Sequence, residues 1–253
     1  MGRILEGRDD DGRRNYIAMN IITSRRKFLT TSGGIIAASA FARAGLFAAK
    51  AEKGKDESEE EVSPAEDLMR EHGVLKRVLL VYGEAIRRIE AKEDMPPDTI
   101  MDSAKIIRSF IEDYHEKLEE DFLFPRFKKA GKLVDLVDVL LQQHQGGRKV
   151  TDITMQLATN QALKNADDRR KLAASLRQFI RMYNPHEARE DTVLFPAFRK
   201  IVSKNEYDSL GEDFEKKEHE LFGEDGFEKM VDKVAEIEKK LGIYDLAQFM
   251  PKV

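Results

Sequence analysis

The chain has 253 residues, no Cys and no Trp, 36% charged residues and a formal net charge of -4. Without Cys there can be no disulfide, thiolate metal site or cysteine nucleophile, so any metal must be held by His and carboxylate. The mild net charge gives no clustered basic footprint for nucleic acid. Abundant Glu, Lys, Arg, Leu and Ala, without sustained strand-like alternation, predict an all-α protein.

The N-terminal stretch reads as an address. Ser24-Arg25-Arg26-Lys27-Phe28-Leu29 is a twin-arginine motif, followed by a weakly apolar run from Gly33 to Ala49. Ala42-Arg43-Ala44 and Ala49-Lys50-Ala51 are small-x-small cleavage patterns. Arg43 interrupts the run, which is short for a bilayer span, so no stable span is expected unless the leader is retained. Residues 1–51 are therefore expected to be a leader that directs export to the periplasm, with Met19 a second candidate start. Residues 52–62 are charged and lack apolar anchors, as a disordered spacer would.

The folded part is expected to open at Ser63, which can cap a helix, with Pro64 at the first helical position and Glu66 completing a capping box. Leu68, His72, Leu75, Leu79, Tyr82, Ile86 and Ile89 then fall on one stripe of a first helix, which ends near Met95-Pro96-Pro97-Asp98. A second helix carries Ile107, Phe110, Ile111, Tyr114, His115, Leu118 and Glu119, and Pro125 is expected to end or kink it. A third helix runs from about Leu133 to Thr159 with His144 on its apolar stripe. The adjacent Gly146-Gly147 is unfavourable in a helix interior and suggests close approach of another helix. Asn160 to Asp168 reads as a loop. A fourth helix carries Leu172, Leu176, Phe179, Ile180, Tyr183, His186 and Glu190; Asn184-Pro185 predicts a kink, and Pro196 repeats Pro125. From Ser203 on, a helical stretch with His219 and another from Phe227 to Leu241 are expected outside the four-helix unit, giving a bundle over 63–202 and an extension over 203–253.

The chemistry lies in an internal repeat. HEKLEEDFLFP from His115 to Pro125 is echoed by HEAREDTVLFP from His186 to Pro196, and each copy has a His upstream at nearly the same distance, His72 and His144. In each copy the His and the following Glu (Glu119, Glu190) are one helical turn apart and share a face, so both can meet one cation, or two with a bridging carboxylate. A lone His-x-x-x-Glu is usually a solvated face. Here four of the five His obey one repeat, which independent surface residues have no reason to do, and burying them unpaired with two Glu would be costly. The pattern therefore points to a two-metal centre in a four-helix bundle, with iron or manganese suiting a mixed His and carboxylate set and zinc as an alternative.

This arrangement resembles the hemerythrin-like, HHE cation-binding family over about residues 64–200. The resemblance implies an antiparallel up-down four-helix bundle holding a non-haem, carboxylate-bridged pair of iron ions. It implies His72 and His115 as terminal ligands of one iron, His144 and His186 of the other, and Glu119 and Glu190 as bridges. Two departures stand out. Oxygen-carrying hemerythrins have a further His one turn after the third-helix His, where this chain has Arg148, or Gly147 if counted by three. They usually close the last motif with Asp one place later than Glu190, where Asp191 stands here. His219 could supply the missing nitrogen, or be a surface His in the charged run Glu215 to Glu220. Glu116, Glu120, Glu187 and Asp191 are expected to be solvated or to orient ligating His. Tyr114 and Tyr183 are expected in the core.

The expected function is an exported di-iron protein that binds O2 or NO or handles peroxide, with a redox partner. The ligand set, one His short, favours redox chemistry or sensing over transport. A module that stores or delivers iron without turnover is the alternative, and a metal site that only stabilises the fold is a third.

Overall fold

The computed structural model describes residues 62–251. The expected leader with its twin-arginine motif, and all but the last residue of the expected spacer, lie outside the described residues.

Helix α1 spans Pro64–Ala91 and begins as its capping signals require: Glu66 N–H donates to Ser63 Oγ at 3.4 Å, with Pro64 in the first turn. It ends on Lys92 in the left-handed region (φ 56). Its buried face carries Leu68, His72, Leu75, Leu79 and Tyr82.

Helix α2 runs without a break through Pro97–Ile106, Ile107–His115, Glu116–Leu118, Glu119–Leu123 and Phe124–Ala130. Ile107–His115 and Glu119–Leu123 are wide, π-helical turns. Pro125 does not end this helix. The wide turn before it already bonds Phe124 N–H five residues back, to Glu119 O, which gives the proline ring room where a tight turn would clash. The helix stops instead at Gly131, in the left-handed conformation (φ 61).

Helix α3 spans Val134–Leu157. A short turn, Asn160–Lys164, occupies part of the expected loop. Helix α4 follows, through Ala166–Arg189, a wide turn Glu190–Leu194, and Phe195–Phe198. Asn165 caps it by accepting from the backbone N–H of Asp167 and Asp168. The helix passes through Pro185 without ending, and the wide turn falls beyond His186. Helix α5, Lys204–Phe222, and helix α6, Gly226–Leu241, complete the order before a final short turn, Leu246–Phe249.

Helix α1 packs against α2 and α4, and α3 packs against the same two, so four helices enclose one core. Lys76 pairs with Glu187 and Glu90 with Arg177, so α1 and α4 run in opposite directions. Arg108 pairs with Asp152 at 2.6 Å and Arg148 with Glu116 at 2.7 Å, so α2 and α3 do as well. Helix α6 lies on α1 and α2, held by Arg77 to Glu238 at 2.6 Å and by Arg88 Nη2 donating to Leu241 O at 2.6 Å. Helix α5 inserts Phe222 edge-on against Phe110 and Tyr114, so the extension shares the core with α1 to α4. Among the described residues there is no strand, and no helix long and apolar enough to cross a membrane.

Candidate metal centre

His72, His115, Glu119, His144, His186 and Glu190 all point into the bundle and all are buried. Helix α1 supplies His72, α2 His115 and Glu119, α3 His144, and α4 His186 and Glu190. Two groups form around the acids, with ligand atoms in each within 4.8 Å of one another: Glu119, His144, His186 and Glu190, and His72, His115 and Glu190. Each upstream His meets the glutamate of the other half. His72 Nε2 lies 3.4 Å from Glu190, and His144 Nε2 lies 3.4 Å from Glu119. Within a half, His186 Nε2 lies 3.0 Å from Glu190 and His115 Nε2 lies 3.9 Å from Glu119. Each carboxylate thus stands between imidazoles of both halves, and the residues flagged in sequence converge. His219 does not join them: it is exposed on α5.

The outward ring nitrogens are tethered. His72 Nδ1–H donates to Asp191 at 2.7 Å, His115 Nδ1–H to Glu71 at 2.7 Å, His144 Nδ1–H to Glu120 at 3.1 Å and His186 Nδ1–H to Gln143 Oε1 at 2.9 Å. A carboxylate or amide oxygen only accepts, so each tether places the proton on Nδ1 and turns the Nε2 lone pair inward. Asp191 and Glu120 were visible in sequence as neighbours of the motif. Glu71 and Gln143 lie outside the repeated motif, and their one mark in the sequence is that each directly precedes a core His.

The LFP repeat has a packing role. Phe124 stacks on His144 with ring centroids 5.5 Å apart, and Phe195 stacks on His72 at 5.6 Å. Each motif therefore covers the upstream His of the opposite half and excludes water from it. Gly147 has a similar local reason: a Cβ there would collide with Tyr183 Oη, so the close approach expected at Gly146-Gly147 is real. Tyr183 is buried and donates to Glu116 Oε1 at 2.5 Å. Arg148, at the position where oxygen carriers have a His, pairs with Glu116 at 2.7 Å and with Glu120 at 2.8 Å.

The electrostatics show what the site lacks. Burial pulls His72 down, but Asp191 and Glu190 overcome it and raise it to about 10, so that without a cation a proton takes its place on Nε2. Burial lowers His144 to about 4 and, with the charge of His72, holds His115 well below its ordinary value. Burial also pushes both central carboxyls up. For Glu119 the facing Glu190 adds to it and the carboxyl is raised well above its ordinary value; for Glu190, His186 and His72 prevail and hold it below.

A cation fits these residues on two observations. With the four rings donating outward through Nδ1, the four buried oxygens of Glu119 and Glu190 have no hydrogen-bond partner among the described residues. His144 Nε2 and His186 Nε2 lie 3.2 Å apart while both rings donate through Nδ1, so two lone pairs face each other. Unpaired buried acceptors are costly, and a positive ion between them removes both problems. A set of imidazole nitrogens and carboxylate oxygens suits iron, manganese or zinc.

The hemerythrin HHE cation-binding domain model matches residues 63–162. Proteins of Mycobacterium bovis and of two Mycobacterium tuberculosis strains are 53% identical over 195 residues, covering 77% of this chain and 76% of theirs. Residues 63–162 are thus similar to the hemerythrin HHE cation-binding domain. Such a domain implies cation binding, typically of iron. The three mycobacterial relatives are described as uncharacterized proteins, and no solved structure matches the chain. The match to the hemerythrin model ends before α4, so His186 and Glu190 come from outside the matched span, and the fold brings them to the His and Glu within it.

Proposed function

We propose that this chain is an exported non-haem di-iron protein that binds O2 or NO, or performs redox chemistry with such a ligand or with peroxide. The observation that carries the reading is the inward set of four imidazole Nε2 atoms around the four buried carboxylate oxygens of Glu119 and Glu190. In this reading residues 63–202 form an antiparallel up-down bundle of the hemerythrin kind, and 203–253 extend it. The opposed directions of α1 with α4 and of α2 with α3 support that topology. His72 and His115 would hold one ion, His144 and His186 the other, and Glu119 and Glu190 would be shared between them. Manganese or zinc would be accepted by the same donors.

A bound iron pair would supply redox electrons and open coordination positions. The chain supplies the rest. Asp191, Glu71, Glu120 and Gln143 fix the imidazole orientation, Phe124 and Phe195 shield the upstream His rings, and the helices keep the centre dry. With two imidazoles and two shared carboxylates per ion, protein donors leave positions free for a small ligand. Export to the periplasm, with electrons from a redox partner, rests on the twin-arginine motif at Arg25 and Arg26.

The test is the visible spectrum of the iron-loaded protein. Charge-transfer bands that change on addition of O2, NO or azide are expected. A protein that loads and releases iron with no ligand-dependent bands would instead be a storage or delivery module.

A further inference from the structure

The duplication extends outward from the six central residues. Glu120 in one half corresponds to Asp191 in the other, each just after the central Glu and each accepting from the upstream His opposite. Glu116 and Glu187 also correspond; Arg148 pairs with the first and Lys76 with the second. The correspondence breaks at one tether. Glu71, which accepts from His115, has Gln143 as its counterpart, which accepts from His186. A second difference lies beside it. Arg148 also reaches Glu120 at 2.8 Å, and Lys117 pairs with Glu120 too, so the carboxylate behind His144 is shared with two cations.

We infer that the two cation positions are unequal, and that Gln143 is the positioning residue that makes them so. This rests on the two-ion reading above. Of the two glutamates only Glu190 stands in both groups of donors; Glu119 lies 3.4 Å from His144 and 3.9 Å from His115. A further difference lies behind the rings. Two carboxylates, Asp191 and Glu71, stand behind the His72 and His115 pair. Behind the His144 and His186 pair stand a neutral amide and a carboxylate already engaged by Arg148. A carboxylate on Nδ1–H draws the proton outward and strengthens Nε2 as a donor, and replacing such a partner changes metal affinity by roughly 10–100-fold. The His72 and His115 position therefore fills first and holds its ion. The His144 and His186 position fills second and exchanges.

The test titrates metal-free protein with cobalt(II), following the visible bands and the binding heat. Repulsion between neighbouring ions alone separates two steps, so the readout is how each step answers to its outer residue. Gln143→Glu is expected to tighten the second step by roughly tenfold and leave the first within twofold; Glu71→Gln is expected to weaken the first by a similar factor. A merely structural role for Gln143 would not give a gain in affinity from a charged replacement. Two ions bound with both steps unmoved by Gln143→Glu, or with the first step tightened, would overturn the inequality while leaving the two-ion centre standing. No cobalt bound by the wild type would remove the centre itself. Gln143→Ala, expected to weaken only the second step, guards against misfolding of the charged variant.

Discussion

Glu190 is the side chain on which the centre turns, because it belongs to both groups of convergent donors. Removing it or Glu119 should lower metal content without unfolding the bundle. Glu119→Ala and Glu190→Ala are each expected to bind fewer ions per chain than wild type by elemental analysis, while His219→Ala, exposed on α5, should leave loading unchanged. At Gly147 the constraint is steric. Gly147→Ala should destabilise by about 1–3 kcal/mol, read as a lower urea midpoint, because the methyl must displace Tyr183. The six central residues were legible because the repeat shifts them together and helical periodicity places them on apolar stripes. The outer acceptors Glu71 and Gln143 were not. A residue one place before a His sits about 100° round the helix from it, so it serves the His of a neighbouring helix, a relation that only the packed bundle creates.

At the scale of the element, four helices with these caps and stripes could be read from the sequence, but their wide turns could not. A π-helical turn adds to a helix without changing its apolar composition, so periodicity does not mark it. Its effect is visible at Pro125 and Pro196, which the helices absorb instead of ending. On α2, Glu112 gives a pH-dependent prediction. It is buried, accepts from Thr151 at 2.5 Å, and burial raises it to about 7 against an ordinary 4.5, with Thr151 and Arg108 only partly opposing. Between those values the native state keeps a proton that the unfolded chain releases. Stability from this group is therefore present at low pH, falls as pH rises through that window, and is level above it. Glu112→Gln should flatten that slope by on the order of 2 kcal/mol, measured by urea unfolding of metal-free protein between about pH 5 and about pH 7.5.

For the whole molecule, the fold and the centre depend on each other. The helices bring acceptors together that only a cation satisfies, so an ion bound to the native state alone should raise stability by about 2.7 kcal/mol at a hundredfold excess over its dissociation constant. Chelation should accordingly lower the melting temperature, and readdition of iron restore it. The overall all-helical class was legible from composition, and the place of the extension was not, since Phe222 reaches Phe110 and Tyr114 across a long stretch of chain. The claim that both halves build one centre is tested most directly by the number of iron ions per chain in purified protein, wild type beside Glu190→Ala. Two ions in the wild type and fewer in the variant are expected; an iron-free wild type, or a variant that still holds two, would contradict it.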